Sequence, residues 1–169
     1  QEEGRKKERM TTTRVAPAKL AQTVAGIFAQ AGSDATESKA VADHLVEANL
    51  MGHDSHGVIR VAKYIDWLKQ GMVVTNRHAK TLRDDGVLLM LDGQFGYGQV
   101  IGIDAMKAGM AKAKKHGLAL VALRNTGHLG RIGAWAEMAA AEGLVSMHFV
   151  NTSGFGMLVA PHGGRDRRL

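Results

Sequence analysis

Apolar residues recur at helical spacing in the first part of the chain. One pattern begins at Pro17, which suits the first turn of a helix, and ends at Gly32. A second begins after a cap at Ser33 or Asp34 and ends near Gly52. The positions predicted to face inward are Leu20, Val24, Ile27, Phe28, Ala31, Val41, Leu45, Val46, Ala48 and Leu50. Two such helices with a short connection predict a helical hairpin.

A third helical pattern follows the second without a long break. Asp54 or Ser55 can cap it, and Gly71 closes it. Its apolar residues are Val58, Val61, Ala62, Ile65 and Leu68. Residues 73–80 then predict a polar linker.

The apolar period shortens after residue 80. Runs at 81–82 and 87–91 flank the pair Asp85-Gly86, which suits the left-handed angles of a tight turn and predicts a hairpin. The later elements are a glycine-rich loop at 92–98, a helix over 100–116 ended by Gly117, a buried strand over 118–123, a helix over 131–142 and a strand over 144–150. Strand, helix and strand at this spacing predict a parallel pair with a crossover helix, and hence an α/β core.

Length and composition bound the organisation of the chain. Its 169 residues, 45% of them hydrophobic, suffice for one cored domain or a domain with a helical appendage. No run approaches the roughly 18 apolar residues of a membrane span, and residues 1–9 have no apolar signal core, so we expect a cytoplasmic protein that does not bind membranes. We expect a disordered or extraneous tail at 1–9, a helical segment at 10–80, and an incomplete α/β core at 81–169, truncated at the C-terminus.

Charge and cysteine content exclude several kinds of site. The chain has no cysteine, which excludes disulfides, thiol catalysis and thiolate metal ligands. The net charge is +6, but the two termini supply half of it, and aromatic residues are only 5% of the chain. A nucleic-acid partner is therefore not expected, because basic residues and aromatic side chains do not interleave.

The first histidine motif, residues 52–60, places His56 and Arg60 four positions apart. On a helix that begins near Ser55 they would share one face, where guanidinium grips a carboxylate and imidazole passes a proton to the same ligand. Ser55 can orient the ring, and the helix N-terminus would favour its neutral form. The alternatives are a capping histidine and a solvated arginine. A metal site built on His53 and His56 lacks a third nearby donor.

The second motif, residues 125–131, places His128 between Gly127 and Gly130. The motif lies in a strand-to-helix loop, the edge where α/β proteins bind ligands. The alternative is a loop histidine that caps the following helix. The remaining histidines have no companion pattern and are predicted to be surface, helix-end or packing residues: His44, His78, His116, His148 and His162.

Glycines at 96, 98 and 102 invite a comparison with dinucleotide-binding loops. Their spacing departs from G-x-G-x-x-G, and the next strand ends without the acidic residue that would bind a ribose hydroxyl. A tight turn and close helix packing are therefore the favoured interpretation.

Three stretches, at 54–60, 125–130 and 159–164, together resemble the ordered signatures of the malate/L-lactate dehydrogenase family. The resemblance runs from about Val15 to Leu169. It implies NAD(P)-dependent reduction of a 2-keto acid or a related imine, by members that include ureidoglycolate and sulfolactate dehydrogenases. It also implies an L-sulfolactate dehydrogenase-like fold, distinct from the doubly wound one, and a homodimer.

The resemblance also implies roles for individual residues. Ser55 and His56 match the proton-transfer pair, Arg60 matches the substrate-carboxylate residue, and His128 matches a histidine assigned to proton transfer or to cofactor contact. The positions implied to contact NAD or NADP are His128, Leu129, Gly130, Arg131, Ile132, Asn151, Thr152 and Ser153.

The resulting hypothesis is an N-terminal portion of a 2-hydroxy-acid dehydrogenase. The candidate substrates under this hypothesis are malate, lactate, sulfolactate and ureidoglycolate. Two alternatives stay open: a catalytically inactive fragment, and a noncatalytic module that binds an organic anion through Arg60.

Overall fold

The computed structural model describes residues 14–151, and helices form the first half of this part. The elements are α1 (Pro17–Gln30), α2 (Ala35–Leu50), two 3₁₀ turns (Asp54–His56 and Val58–Arg60) and α3 (Val61–Lys69). The second half contains β1 (Lys80–Asp85), β2 (Leu88–Asp92), α4 (Gly98–His116), β3 (Leu120–Arg124) and α5 (Gly133–Ala141). No helix in the described range has the length and apolar character needed to cross a bilayer.

The predicted helical hairpin is confirmed. Pro17 begins α1, and the carboxylate of Asp34 caps α2 by accepting from the Glu37 amide at 2.8 Å. Val24 and Phe28 of α1 are buried against the apolar face of α2. Two predicted inward positions are wrong: Ile27 is 41% exposed and Leu50 is 65% exposed.

The third helix starts later than predicted. The chain makes two separate 3₁₀ turns after α2, and α3 begins only at Val61, with no side-chain cap from Asp54 or Ser55. His56 and Arg60 therefore lie in consecutive 3₁₀ turns and do not share a face of an α-helix.

The segment at 73–80 is not a free linker. Val73 is buried, and the side chain of Asn76 ties the segment to the corner between α1 and α2. Its Oδ1 accepts from the Asp34 amide at 2.7 Å, and its Nδ2 donates to Gly32 O at 2.9 Å.

The three strands form a mixed sheet in the order β1-β2-β3. The predicted hairpin is confirmed, because β1 and β2 are antiparallel around Gly86, whose φ is 52°. The parallel pair is not the predicted one, since β2 and β3 pair across α4. Residues 144–150 form no strand, and Leu120 of β3 is 62% exposed, so the prediction of a buried strand there is also wrong.

Two apolar clusters hold these elements together. Leu89, Leu91 and Ala105 pack the sheet against α4. Tyr97, directly before α4, joins the cluster of the N-terminal helices and meets Phe28 edge to face at 5.4 Å. The start of α4 is thereby fixed against the helical segment, which brings the two histidine motifs to the same place.

Candidate active site

The first histidine motif is held against α2 by the side chain of Asn49. Its Nδ2 donates to Asp54 Oδ1 at 2.5 Å, and its Oδ1 accepts from the Val58 amide at 2.8 Å. Gly57 lies between these contacts, where an added Cβ would be 2.2 Å from Asn49 Oδ1. The close approach of α2 therefore requires glycine at this position.

Ser55 contacts both predicted site residues of this motif. Its Oγ is 2.9 Å from Nδ1 of His56, and its carbonyl oxygen accepts from Nε of Arg60 at 2.6 Å. Within residues 14–151, neither Nη group of Arg60 has a hydrogen-bond partner. The guanidinium is therefore held through Nε and retains both Nη groups as donors for a ligand.

His128 lies in the loop between β3 and α5, as predicted. Its Nδ1 is 2.8 Å from the hydroxyl oxygen of Tyr64, and its carbonyl oxygen accepts from Nε2 of Gln99 at 3.3 Å. The alternative of a capping role does not apply, because α5 begins at Gly133 without a side-chain cap.

The two motifs meet through their imidazoles. The rings of His56 and His128 stack with centroids 5.2 Å apart and planes 27° apart. Burial, followed by the charges of Arg60, His56 and His44, lowers the pKa of His128 to about 4. The His128 ring therefore favours the neutral form near neutral pH.

The pKa of His56 is lowered as well, first by burial and then by the neighbouring charges of His53 and Arg60. The predicted neutral bias of His56 is thus present, but its cause is not a helix N-terminus, because the nearest α-helix begins at Val61.

Around the imidazoles, the part of the chain that the structure describes includes no candidate metal centre. Within the described residues, no three His, Asp or Glu side chains are grouped so that they could hold an ion, and His53 instead meets His56 edge to face at 4.6 Å. Two shallow grooves lie elsewhere, one between α1 and α2 and one between α2 and Ile103, and neither contains a site residue.

The glycine-rich loop packs beneath the second motif. A Cβ at Gly98 would be 2.3 Å from His128 O, and one at Gly93 would be 2.8 Å from Asn125 O. Farther along, a Cβ at Gly102 would be 2.6 Å from the indole of Trp135. These contacts support the packing interpretation, because the 125–128 loop already covers the start of α4.

His44, one of the histidines without a pattern, packs under the same loop. Its Nε2 accepts from the Arg131 amide at 2.9 Å, and its ring stacks on Trp135 at 5.1 Å. Burial, with smaller contributions from Arg131 and His56, lowers its pKa to about 4. His44 therefore supports the loop as a neutral acceptor.

The other patternless histidines in the described range also match their predicted roles. His78 is exposed beside Asp104, His116 is the last residue of α4, and His148 contacts Ser146 Oγ at 3.0 Å. His162 lies outside the described residues.

The residues that the resemblance implies contact a cofactor differ in how far they are buried. The guanidinium of Arg131 is buried and makes two hydrogen bonds to Glu137, at 2.7 and 2.6 Å. Gly130 is buried with φ 71°, whereas Leu129 and Ile132 are half-buried. Asn151 is exposed at the end of the described range, and Thr152 and Ser153 lie outside it.

Sequence reasoning missed four residues that shape the site. They are Asn49, Tyr64, Gln99 and His44, and all four lie on helices. The partners of the last three are distant in sequence, by 87 residues for His44 and Arg131, whereas Asn49 contacts residues 5 and 9 positions away that carry no periodic signal. Only Gln99, a fully buried amide next to the glycine loop, follows a segment that the motif analysis had singled out.

The site therefore combines two stacked imidazoles with the guanidinium that Ser55 holds, on a mixed α/β fold. The chain belongs to the malate/L-lactate dehydrogenase family, whose model matches residues 15–169. The predicted family is confirmed.

Individual relatives agree with this assignment. The chain is 50% identical over 146 residues to hydroxycarboxylate dehydrogenase B of Escherichia coli (strain K12), covering 86% of this chain and 40% of that protein. The structure of malate dehydrogenase from Pyrococcus horikoshii OT3 superposes with a TM-score of 0.74 at 37% identity, covering 78% of this chain and 38% of that one.

The predicted fold is confirmed by the structure of sulfolactate dehydrogenase from Methanocaldococcus jannaschii. It has a TM-score of 0.72 and 32% identity, covering 75% of this chain and 37% of that one. The chain therefore spans about two fifths of the length of the relatives it matches.

Proposed function

We propose that the protein acts as a dehydrogenase that interconverts a 2-hydroxy acid and a 2-keto acid with NAD(P). The observation that carries this proposal is the contact between His56 and His128 beside Arg60. Family membership supports it, as do the names of the relatives, which include hydroxycarboxylate and malate dehydrogenases. Malate, lactate, sulfolactate and ureidoglycolate are the substrates to compare.

Arg60 is proposed to bind the substrate carboxylate. Its Nε is occupied by Ser55 O, so the two Nη groups can bind both carboxylate oxygens. A carboxylate held in this way fixes the position of the adjacent C2 atom, where the reaction takes place.

His56 is proposed to exchange the proton on the substrate oxygen. Oxidation removes the hydroxyl proton to the neutral imidazole, and reduction returns it from the imidazolium. The Ser55 hydroxyl contacts Nδ1, which leaves Nε2 of His56 as the nitrogen that faces a substrate. The lowered pKa of His56 favours the neutral form that oxidation requires.

The loop after β3 suits the nicotinamide end of a cofactor. Leu129 and Ile132 give it an apolar, half-buried face next to the imidazole of His128, whereas the guanidinium of Arg131 is held by Glu137 and is poorly placed for a phosphate. When bound, nicotinamide supplies or accepts the hydride at C2. Leu129, Ile132 and the backbone around Gly130 would hold the ring.

The test mixes the protein with NADH or NADPH and one 2-keto acid at a time. Loss of nicotinamide fluorescence that depends on the keto acid supports the proposal, and the comparison of the two nucleotides identifies the cofactor. A His56→Gln variant should lose this turnover, while His78→Gln, on the exposed β1 side, should keep it.

Other outcomes contradict the proposal. A melting shift with the acids but no oxidation of either nucleotide would make the protein an anion-binding module. No shift and no oxidation would leave the chain without the proposed activity.

We also propose that the protein forms a homodimer through its N-terminal helices. Leu50 and Met51, at the end of α2, are 65% and 59% exposed, which is unusual for adjacent apolar side chains. Light scattering should give twice the chain mass, and a double Leu50→Ser, Met51→Ser variant should be monomeric. A wild-type monomer contradicts this assembly.

A further inference from the structure

A buried hydrogen-bond chain leads from Gln99 through Tyr64 to His128. Nε2 of Gln99 is 3.0 Å from the hydroxyl oxygen of Tyr64, and that oxygen is 2.8 Å from Nδ1 of His128. Tyr64 is 1% exposed and Gln99 is fully buried. Because water does not reach the Tyr64 hydroxyl or the Gln99 amide, the hydrogens of these two groups must find acceptors within the protein.

The carbonyl oxygen of His128 determines which end of the Gln99 amide, Nε2 or Oε1, points towards it. Nε2 of Gln99 is 3.3 Å from His128 O as well as 3.0 Å from the Tyr64 oxygen. A carbonyl oxygen only accepts, so the amide NH₂ must face it, since the opposite orientation would place two acceptors together. The two hydrogens of this NH₂ then go to His128 O and to Tyr64.

The direction of the last hydrogen bond follows from the one before. Tyr64 accepts from Gln99, and burial raises the pKa of its hydroxyl to about 12, so it keeps its own proton. Among the described residues, Nδ1 of His128 is the one acceptor within reach of this proton. A buried O–H without an acceptor is unfavourable, so Tyr64 donates and Nδ1 accepts.

We propose that Tyr64 and Gln99 are positioning residues that hold His128 as the neutral tautomer with its proton on Nε2. His128 is then a fixed N–H donor at the site. It cannot serve as a base, because Nδ1 is occupied and Nε2 already carries the proton. The carbonyl of His128 thus orients the Gln99 amide, the amide orients the Tyr64 hydroxyl, and the hydroxyl fixes the tautomer of the His128 ring.

With this tautomer, the two stacked imidazoles have different roles. His56 exchanges the proton, whereas Nε2–H of His128 donates to an oxygen of the substrate or of the nicotinamide carboxamide. The division rests on the proposed function, because it names the molecules that face the rings. The tautomer itself does not depend on any ligand.

The experiment is a long-range ¹H–¹⁵N correlation spectrum of the imidazole rings in the ligand-free protein near neutral pH. The His128 signals are assigned by their loss in His128→Gln. We expect Nε2 to resonate as a protonated, pyrrole-type nitrogen and Nδ1 as a pyridine-type nitrogen that accepts a hydrogen bond. A protonated Nδ1 in the wild type would overturn the proposal.

Two variants test the chain of donors. In Tyr64→Phe, Nδ1 loses its donor, so its resonance should move to that of an unbonded pyridine-type nitrogen. In Gln99→Leu, the Tyr64 oxygen can accept from Nδ1–H, so a mixed population of tautomers is expected. A folded variant with an unchanged His128 spectrum would contradict the role of the residue it replaces.

Trp67 offers a matched control. Its ring stacks on Tyr64 at 5.6 Å and lies 6.4 Å from His128, without a hydrogen bond to either. Trp67→Phe should therefore retain the wild-type tautomer. Should Tyr64→Phe fail to fold, the wild-type spectrum still decides the question.

Turnover separates this inference from the proposed function. A protonated Nε2 of His128 without any turnover would contradict the proposed dehydrogenase activity and support the proposed tautomer. Turnover with a protonated Nδ1 would support the activity and contradict the tautomer.

Discussion

The imidazoles of His56 and His128 stack at 5.2 Å, although they belong to two different motifs of the sequence. One ring is carried by the first 3₁₀ turn after α2 and the other by the loop between β3 and α5. The site therefore forms only when the helical segment docks on the start of α4. Docking also buries both rings in part, and this burial is the largest cause of their lowered pKa values.

The first prediction concerns the pH dependence of oxidation. The neutral form of His56 accepts the hydroxyl proton, and its pKa lies below the usual 6.5. The kcat/KM for a 2-hydroxy acid should therefore rise with pH through that lowered pKa and stay level above it. The kcat/KM for the keto acid should fall over the same range, because reduction needs the imidazolium.

Arg60→Gln tests the assignment of this pH limb to His56. The substitution removes a positive charge that lowers the pKa of His56, so the ring should titrate at higher pH in the NMR spectrum of the free protein. Arg83→Gln, an exposed arginine of β1, should leave the titration unchanged. If the titration of His56 does not move in Arg60→Gln, the charge of Arg60 does not lower the pKa of His56.

The second prediction concerns the binding of the substrate carboxylate by Arg60. Lysine cannot reproduce two parallel hydrogen bonds, so Arg60→Lys should raise KM by roughly tenfold to a hundredfold, as the loss of one charge-assisted hydrogen bond implies, with a smaller effect on kcat. Steady-state kinetics with one keto acid measures both constants. Arg83→Lys is the control, and an unchanged KM in Arg60→Lys would refute the grip.

Local sequence signals were sufficient where neighbouring residues decide the structure. Pro17, Asp34 and Gly117 mark helix ends through their own backbone or side-chain chemistry, and the structure has them in those places. The start of α3 was misplaced because the intervening 3₁₀ turns depend on Asn49, which reaches across from α2. That contact leaves no periodic signal in the sequence.

Strand pairing shows the same limit. Residues 144–150 alternate in exposure, with Val145 98% and Phe149 92% exposed, and this alternation resembles a strand. A strand also requires a hydrogen-bonded neighbour, and the described residues give this segment none. The first histidine motif was predicted from the spacing of His56 and Arg60 and the second from the glycines around His128. Tyr64 and Gln99 were not predicted, because their roles arise only from tertiary contacts.

The third prediction concerns Gly57. A Cβ there would lie 2.2 Å from Asn49 Oδ1, so Gly57→Ala must displace the side chain that holds both 3₁₀ turns. We expect a loss of about 1–3 kcal/mol in the free energy of unfolding, in the range of overpacked sites, and a weakened contact between Ser55 and His56. Urea denaturation measures the change.

Gly26 provides the matched glycine for this experiment. It lies within α1, and an added Cβ meets nothing within 4 Å. Gly26→Ala should therefore stabilise the protein by up to about 1 kcal/mol through helix propensity. Equal effects of the two substitutions would show that the approach of Asn49 does not constrain Gly57.

The last prediction concerns the pH dependence of stability. An unfolded histidine takes up a proton near pH 6.5, whereas burial lowers the pKa of folded His44 to about 4. The unfolded state therefore binds more protons between these values, so the free energy of unfolding should fall as pH drops from about 6.5 to about 4. The shift corresponds to ~3 kcal/mol for one such imidazole, and His128 acts in the same direction.

His44→Gln isolates this contribution. Glutamine can still accept from the Arg131 amide but does not titrate, so the variant should lose less stability than the wild type over the same pH window. Urea denaturation at a series of pH values measures the slope, and His78→Gln, an exposed histidine, should retain the wild-type slope. If His44→Gln keeps that slope too, protonation of His44 does not oppose folding, and the support it gives to the His128 loop is independent of its charge.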